Sequence, residues 1–270
     1  MPTTQEYLHR LLLSNPLRES VIRAAIQAMQ LPTGSRGLDA GCGIGSLTFL
    51  LAEAIGSAGH VTGVDTNPVF LAHATKTAEE FGLAKRVSFQ QGDANNLPFD
   101  NDIFDWAWSV DCVGFIPIQP VPLIKELARV VKSGGSVAIL VWSSQQLLPG
   151  HPLLEARLNA TSSGTAPFFK GKRPKQHHLR ALGWLRNAGL KESTAQTFVG
   201  DVYAPLSDEI RGALISLIEM RWGNPQSEIT PEDWAEYQRL CRPESPDFIL
   251  NLPDYYAFFT YSMFRGEVAG

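Results

Sequence analysis

Three acids and a glycine-rich turn carry the clearest chemistry in this sequence. Leu38-Asp39-Ala40-Gly41-Cys42-Gly43-Ile44-Gly45-Ser46-Leu47-Thr48 reads as a turn between a strand and a helix. Its glycines permit positive φ and omit the Cβ atoms that would hold a ligand away from the backbone. Taken alone, such a loop is equally a tight strand-to-helix turn. Asp65 closes the run His60-Val61-Thr62-Gly63-Val64-Asp65, and Asp93 closes Gln90-Gln91-Gly92-Asp93. An acid in the first place can accept from both ribose hydroxyls and one in the second from an adenine amino group, so the pair can frame one adenosine. Either acid by itself also reads as a helix N-cap. The loop and both acids at successive strand ends together point to a nucleoside.

These residues need strands that end at a common edge. Val21, Ile22, Ala25, Ile26 and Met29 recur at helical spacing, which predicts a helix over 18–30 stopped by Leu31-Pro32. Short apolar segments then alternate with helical patterns: strand 37–40, helix 46–56, strand 60–65, helix 67–82, strands 86–91 and 104–110, helix 120–132 and strand 136–142. Such alternation specifies an α/β fold with a doubly wound, mostly parallel sheet, and puts the loop and both acids at its ligand-binding end. Beyond Trp142 the rhythm changes. Residues 143–175 hold loop residues, a short helix from Pro152 and a basic stretch, and read as an insertion. Helix 176–189 closed by Gly189, strand 193–203 and helix 207–222 follow, the last inside a second insertion over 206–254. The closing segment 255–264 is apolar on both faces, as suits a strand inside a sheet.

The motif set resembles that of the class I S-adenosylmethionine-dependent methyltransferases: an acid, then Gly-x-Gly-x-Gly, then acids after strands two and three. Leu97-Pro98-Phe99-Asp100-Asn101-Asp102-Ile103-Phe104-Asp105 and Leu127-Ala128-Arg129-Val130-Val131-Lys132-Ser133-Gly134-Gly135 are also similar to that family, above all to its quinone-biosynthesis C-methyltransferase branch, methyltransferase type 11. The resemblance covers 18–142, and 255–264 fits the family's antiparallel seventh strand. It implies a Rossmann-like, seven-stranded fold with helical cap insertions. It also implies a single domain over 1–270, with a core of 18–142, 176–205 and 255–268 and cap or substrate elements at 1–17, 143–175 and 206–254. The implied cofactor is S-adenosylmethionine, with S-adenosylhomocysteine as product and no metal. By the same resemblance Asp39 orients the loop, Gly41, Cys42, Gly43 and Gly45 pass beside the methionine moiety, Asp65 and Thr66 bind the ribose, and Asp93 and Ala94 hold adenine. Val110 and Asp111 then lie near the methionine ammonium and the transferable methyl.

Two other readings use the same loop. A nicotinamide dinucleotide site shares the glycines and the acid after strand two, but requires Gly-x-Gly-x-x-Gly, whose third place here is Ser46, and leaves Asp93 without a role. A sensor or support subunit that binds the cofactor without transferring the methyl keeps every motif. For transfer itself, in-line alignment matters more than covalent help. Where the acceptor starts neutral a general base is needed, and His151, His177, His178 and Tyr7 are candidates, with Asp111 as an acid able to touch substrate. His177-His178 sits among Lys170, Lys172, Arg173, Lys175 and Arg180, a face that is either solvated or able to hold an acidic substrate. Trp184, Tyr203, Trp222, Trp234, Tyr237, Phe168 and Phe169 are mostly core, yet offer apolar surface to cover a small or medium organic acceptor, with an N-terminal helix around Tyr7 to Leu13 joining that lid.

Composition limits the remaining classes. The 270 residues carry 23 Lys plus Arg against 27 Asp plus Glu, a net charge of −4, and no basic helix or stacking motif, which argues against a nucleic-acid partner. A hydrophobic share of 44% and a charged share of 19% exclude disordered, collagenous and coiled-coil chains. Cys42, Cys112 and Cys241 have neither zinc nor disulfide spacing and read as reduced thiols. No run approaches the roughly 18 apolar residues of a membrane span, and the N-terminus lacks a signal core, so a soluble cytoplasmic protein is expected.

Overall fold

The computed structural model describes residues 3–113, 119–165 and 174–270. Its elements are α1 (Thr4–Met29), β1 (Arg36–Ala40), α2 (Ser46–Ala54), β2 (His60–Asp65), α3 (Pro68–Glu80), β3 (Val87–Gln91), β4 (Phe104–Val110), α4 (Pro120–Val130), β5 (Val131–Gln146), α5 (Pro152–Asn159), α6 (Ala181–Asn187), β6 (Lys191–Tyr203), α7 (Asp208–Trp222), α8 (Pro231–Cys241) and β7 (Tyr256–Glu267). The strands form one sheet in the order β3-β2-β1-β4-β5-β7-β6. β1 pairs in parallel with β2 and β4, β2 with β3, and β4 with β5. β7 runs the other way. Gly134 N–H donates to Val268 O and Val268 N–H to Gly135 O, whereas Ser143 meets Ser262, so positions on β5 rise as those on β7 fall. The predicted sheet with an antiparallel last strand is the observed one. The strand order reverses at β1, and ligands bind such sheets outside the carboxyl ends at that point.

Local chemistry explains where the elements begin. Asn67 Oδ1 accepts from Val69 N–H and Pro68 occupies the first turn of α3, where a missing N–H costs nothing. Ser207 and Thr230 cap α7 and α8 in the same way. The sequence reading differs from the structure at four places. α1 runs unbroken from Thr4 to Met29 through Pro16 and so joins the helix expected around Tyr7 to Leu13 to the one expected over 18–30. α8 was absent from the reading, although Thr230-Pro231 with Asp233 two places on is an N-terminal signal. β5 begins at Val131 directly after α4, since Val131 pairs with Phe104 and Gly134 turns the chain at φ 75°. In place of one helix over 176–189, two 3-10 turns, Pro174–Gln176 and His178–Arg180, precede α6.

The chain divides into two compact units. Val21–Ser143, Arg173–Phe198 and Tyr261–Gly270 form one; Met1–Ser20, Ser144–Lys172 and Val199–Thr260 form the other. The first holds a buried cluster that includes Leu38, Val64, Phe104, Leu123, Ile139, Trp184 and Phe264. A Cβ added to Gly37 would overlap the ring of Trp106, which is buried and donates from Nε1 to Ser35 Oγ at 2.9 Å. Gly37→Ala is therefore expected to cost about 1–3 kcal/mol through overpacking. For a chain of this size each kcal/mol lowers Tm by about 2–4 °C, and an unchanged Tm would mean that the ring has room to move.

In the second unit Leu154, Leu158, Leu214, Leu217, Trp222, Tyr237 and Phe248 are buried together with the carboxyl group of Glu155. Trp222 Nε1 donates to Asn159 Oδ1 at 3.0 Å and Tyr237 Oη to Gly223 O at 2.9 Å. Arg157 pairs with Asp233 at 2.6 Å. Among the described residues no helix is long and apolar enough to cross a membrane.

Candidate functional site

The carboxyl ends of β1, β2, β3 and β4 carry the residues singled out above. Gly41, Gly43 and Gly45 take φ values of 81°, 53° and 79°, a region L side chains rarely adopt. At Gly45 a Cβ would also lie 2.8 Å from Ala74 Cβ and Phe89 Cζ, so the first turn of α2 fits against α3 and β3 only without one. Gly41 N–H and Cys42 N–H both donate to Val64 O, at 2.8 and 3.0 Å, which ties the loop to the end of β2.

Asp65 completes the tie. Its Oδ2 accepts from Gly43 N–H and its Oδ1 from Asn67 N–H, each at 2.9 Å, so the carboxylate joins the loop to the start of α3. Each oxygen keeps a second lone pair for a ligand hydroxyl. Asp39, expected to orient the loop, bonds to the first turn of α2. It is 2% exposed and accepts from Thr48 Oγ1 at 2.7 Å, fastening α2 to β1, while the loop's own N–H goes to Asp65. Burial, opposed by the Thr48 hydrogen bond and helped by the nearby charge of Asp65, lifts the Asp39 carboxyl to about 7.

Asp93 is exposed beyond β3, and its Oδ1 accepts from Asn95 N–H at 2.9 Å and Asn95 Nδ2 at 2.7 Å. Ala94 packs against the core beneath it. Thr66 is exposed, and its carbonyl accepts from Gln91 Nε2 at 3.1 Å. Two thiols complete this end: Cys42 is raised far above the ordinary range by burial, and Cys112 to about 11 by burial opposed by a Ser109 hydrogen bond, so both are neutral. Among the described residues no cationic side chain forms an ion pair with Asp39, Asp65 or Asp93. Open glycine backbone beside uncompensated acids fits a nucleoside that carries positive charge.

Val110 is buried at the end of β4, and Asp111 follows it with φ 49°, a left-handed conformation uncommon outside glycine. Asp111 Oδ1 accepts from Trp142 N–H at 2.9 Å and Oδ2 from Tyr261 Oη at 2.9 Å. The last strand thus reaches a carboxylate at the ligand end of the sheet. Of the other candidates, His177 and His178 stack at 4.5 Å, and His178 is buried. Burial lowers the His177 pKa, and its Nδ1 accepts from Leu179 N–H at 3.2 Å. Tyr7 and His151 belong to the second unit, where Tyr7 is exposed and His151 Nδ1 lies 2.8 Å from Glu236 Oε1. Lys175 and Arg180 are exposed, whereas Phe168, Phe169, Lys170, Lys172 and Arg173 lie outside the described residues. Trp184, Trp222 and Tyr237 are buried, Trp234 stacks on Tyr237 at 5.5 Å, and Tyr203 is exposed.

Residues 38–135, which hold the loop and all four acids, match the family model of a methyltransferase domain. The 2-phytyl-1,4-naphtoquinone methyltransferase of Synechococcus elongatus is 38% identical over 118 residues, 44% of this chain and 50% of that protein. The demethylmenaquinone methyltransferase of Bacillus cereus is 32% identical over 182 residues, 66% of this chain and 69% of that protein. The chain belongs to the class I S-adenosylmethionine-dependent methyltransferases. The relatives it matches include quinone methyltransferases and tocopherol O-methyltransferases, and the chain spans about half the length of the first curated relatives it matches. The S-adenosylmethionine-dependent methyltransferase of Aquifex aeolicus shares the fold, with a TM-score of 0.53 at 20% identity over 70% of this chain and 90% of that one. The family's cofactor is a cationic adenosine derivative, and the carboxylate acceptors at the ends of β2 and β3 suit it.

Four residues of the candidate site were not singled out by the sequence. Thr48, Asn67, Trp142 and Tyr261 each hold one of the acids. Only Asn67 left a local signal, as the residue before Pro68 at a helix start.

Proposed function

We propose that this methyltransferase moves a methyl group from S-adenosylmethionine to a small or medium organic acceptor by in-line displacement. The observation that carries the reading is Asp65, anchored by Gly43 and Asn67 N–H groups and still able to accept two further hydrogen bonds where a ribose diol would bind. In this arrangement Gly41, Cys42, Gly43 and Gly45 line the methionine moiety, Asp65 and Thr66 take the ribose, Asp93 and Ala94 take adenine, and Val110 and Asp111 border the reacting methyl. Asp93 retains Oδ2 as an acceptor for an amino group. Asp39 keeps α2 in register behind the loop through Thr48.

The cofactor supplies a sulfonium methyl open to displacement: the sulfur–carbon bond breaks as the acceptor–carbon bond forms, and a neutral acceptor then loses a proton. What the chain contributes is alignment, exclusion of water and a site for that proton. Asp111 is the acid best held for the last task, since Trp142 and Tyr261 fix both of its oxygens. His151 and Tyr7 of the second unit remain candidates. Selection of the acceptor by helical cap elements at 1–17, 143–175 and 206–254 belongs to the same proposal. The names of the relatives support quinols as the first acceptor class to try.

The test is turnover with labelled S-adenosylmethionine against a panel of naphthoquinols, benzoquinols, phenols and prenyl diphosphates. The expected result is S-adenosylhomocysteine formed with a quinol. Tight cofactor binding with no conversion across the panel would favour a non-catalytic sensor.

A further inference from the structure

We propose that Asp39 is a proton-linked selector that favours the cationic cofactor over its demethylated product, an inference that rests on the cofactor reading above. Asp39 lies at the base of the glycine loop, 2% exposed, with Oδ2 bonded to Thr48 Oγ1 at 2.7 Å. The groups around it are known from each neighbouring element. β2 contributes the carboxylate of Asp65, the loop the thiol of Cys42, the residue after Val110 and Asp111 the thiol of Cys112, and α2 the neutral hydroxyl of Thr48. β4 contributes Trp108, which pairs with Asp39 in register and whose buried indole N–H has no partner. No cation forms an ion pair with Asp39 among the described residues.

Such surroundings hold the Asp39 carboxyl near 7, so at neutral pH the group is divided between acid and anion. A ligand with a positive sulfur favours the anion and expels the proton; the thioether product has no charge there and does so less. By linkage, the preference for cofactor over product rises as pH passes upward through 7, and the product is held relatively more weakly once Asp39 is ionised. The two ligands share the nucleoside and the amino-acid moiety. Their difference therefore isolates the sulfonium charge from titration of the ligand's own amino group.

The experiment is isothermal titration of the whole chain with S-adenosylmethionine and with S-adenosylhomocysteine at pH 6, 7 and 8, each in two buffers of different ionisation enthalpy. More proton release is expected with S-adenosylmethionine than with S-adenosylhomocysteine at pH 6, and the affinity ratio should shift about tenfold toward S-adenosylmethionine between pH 6 and 8. Asp39→Asn should abolish both differences. Thr48→Val removes the hydrogen bond that lowers the Asp39 pKa, so it should move the proton-release profile to higher pH, a readout that stands even if Asp39→Asn does not fold. Equal release with both ligands, or a difference that survives Asp39→Asn, overturns the proposal alone. Failure of either ligand to bind at any pH overturns the cofactor reading and this proposal with it.

Discussion

Asp65→Ala is expected to weaken binding of S-adenosylmethionine and S-adenosylhomocysteine alike by about 1.5–3 kcal/mol, roughly ten- to a hundred-fold in Kd. Two losses combine. The ribose hydroxyls lose a charged acceptor, and Gly43 and Asn67 lose the carboxylate that fixes their N–H groups at 2.9 Å. The second loss loosens a loop whose glycines sit at left-handed φ and whose shape has few other fastenings. Asp93→Ala should cost less, since that side chain is exposed and its Oδ1 serves a local turn to Asn95. Titration calorimetry with the two ligands checks both variants. Unchanged affinity in Asp65→Ala, with the chain folded, would remove Asp65 from the ribose site.

The largest stability effect is expected in the second unit, at Glu155. Its carboxyl group is 1% exposed; Oε1 accepts from Leu147 N–H at 2.8 Å and Oε2 from Leu148 N–H at 3.0 Å. Leu147 and Leu148 are themselves buried, so their amides have no water to turn to. Burial raises the Glu155 pKa while the two amides lower it, which marks the cost of placing a carboxyl there and the interaction that offsets it. Glu155→Ala leaves two buried donors unsatisfied at about 1–3 kcal/mol each, so a total loss of about 2–6 kcal/mol is expected. Glu155→Gln keeps the volume but turns an NH2 toward one of the amides, and should lose less. Urea unfolding at unchanged m-value measures both; a loss below about 1 kcal/mol for Glu155→Ala would contradict this account of the two amides.

What could be read from the chain was local in origin. β2 and β4 were legible to the residue because apolar runs bounded by Gly, Asp or Asn need no partner to be recognised. The glycine loop and the acids after β2 and β3 were legible through spacing and topological position. Long-range pairing was not. Tyr261 reads as one more apolar residue of the last strand, yet its hydroxyl reaches Asp111, 150 positions earlier. Thr48 reads as a helix residue, yet its hydroxyl donates to Asp39, while Gly43 N–H of the loop donates to Asp65. α1 was legible in two pieces, around Tyr7 to Leu13 and over 18–30, but its continuity was not, since a proline such as Pro16 reads as a helix break.

The central claim, that the glycine loop with Asp65 and Asp93 is an S-adenosylmethionine site, is tested most directly by thermal unfolding with S-adenosylmethionine, S-adenosylhomocysteine and NAD in parallel. A ligand at about 100 times its Kd adds about 2.7 kcal/mol of stability. The account predicts a raised Tm with each sulfur nucleoside and none with NAD. A rise with NAD alone, or no rise with either sulfur nucleoside, would contradict it.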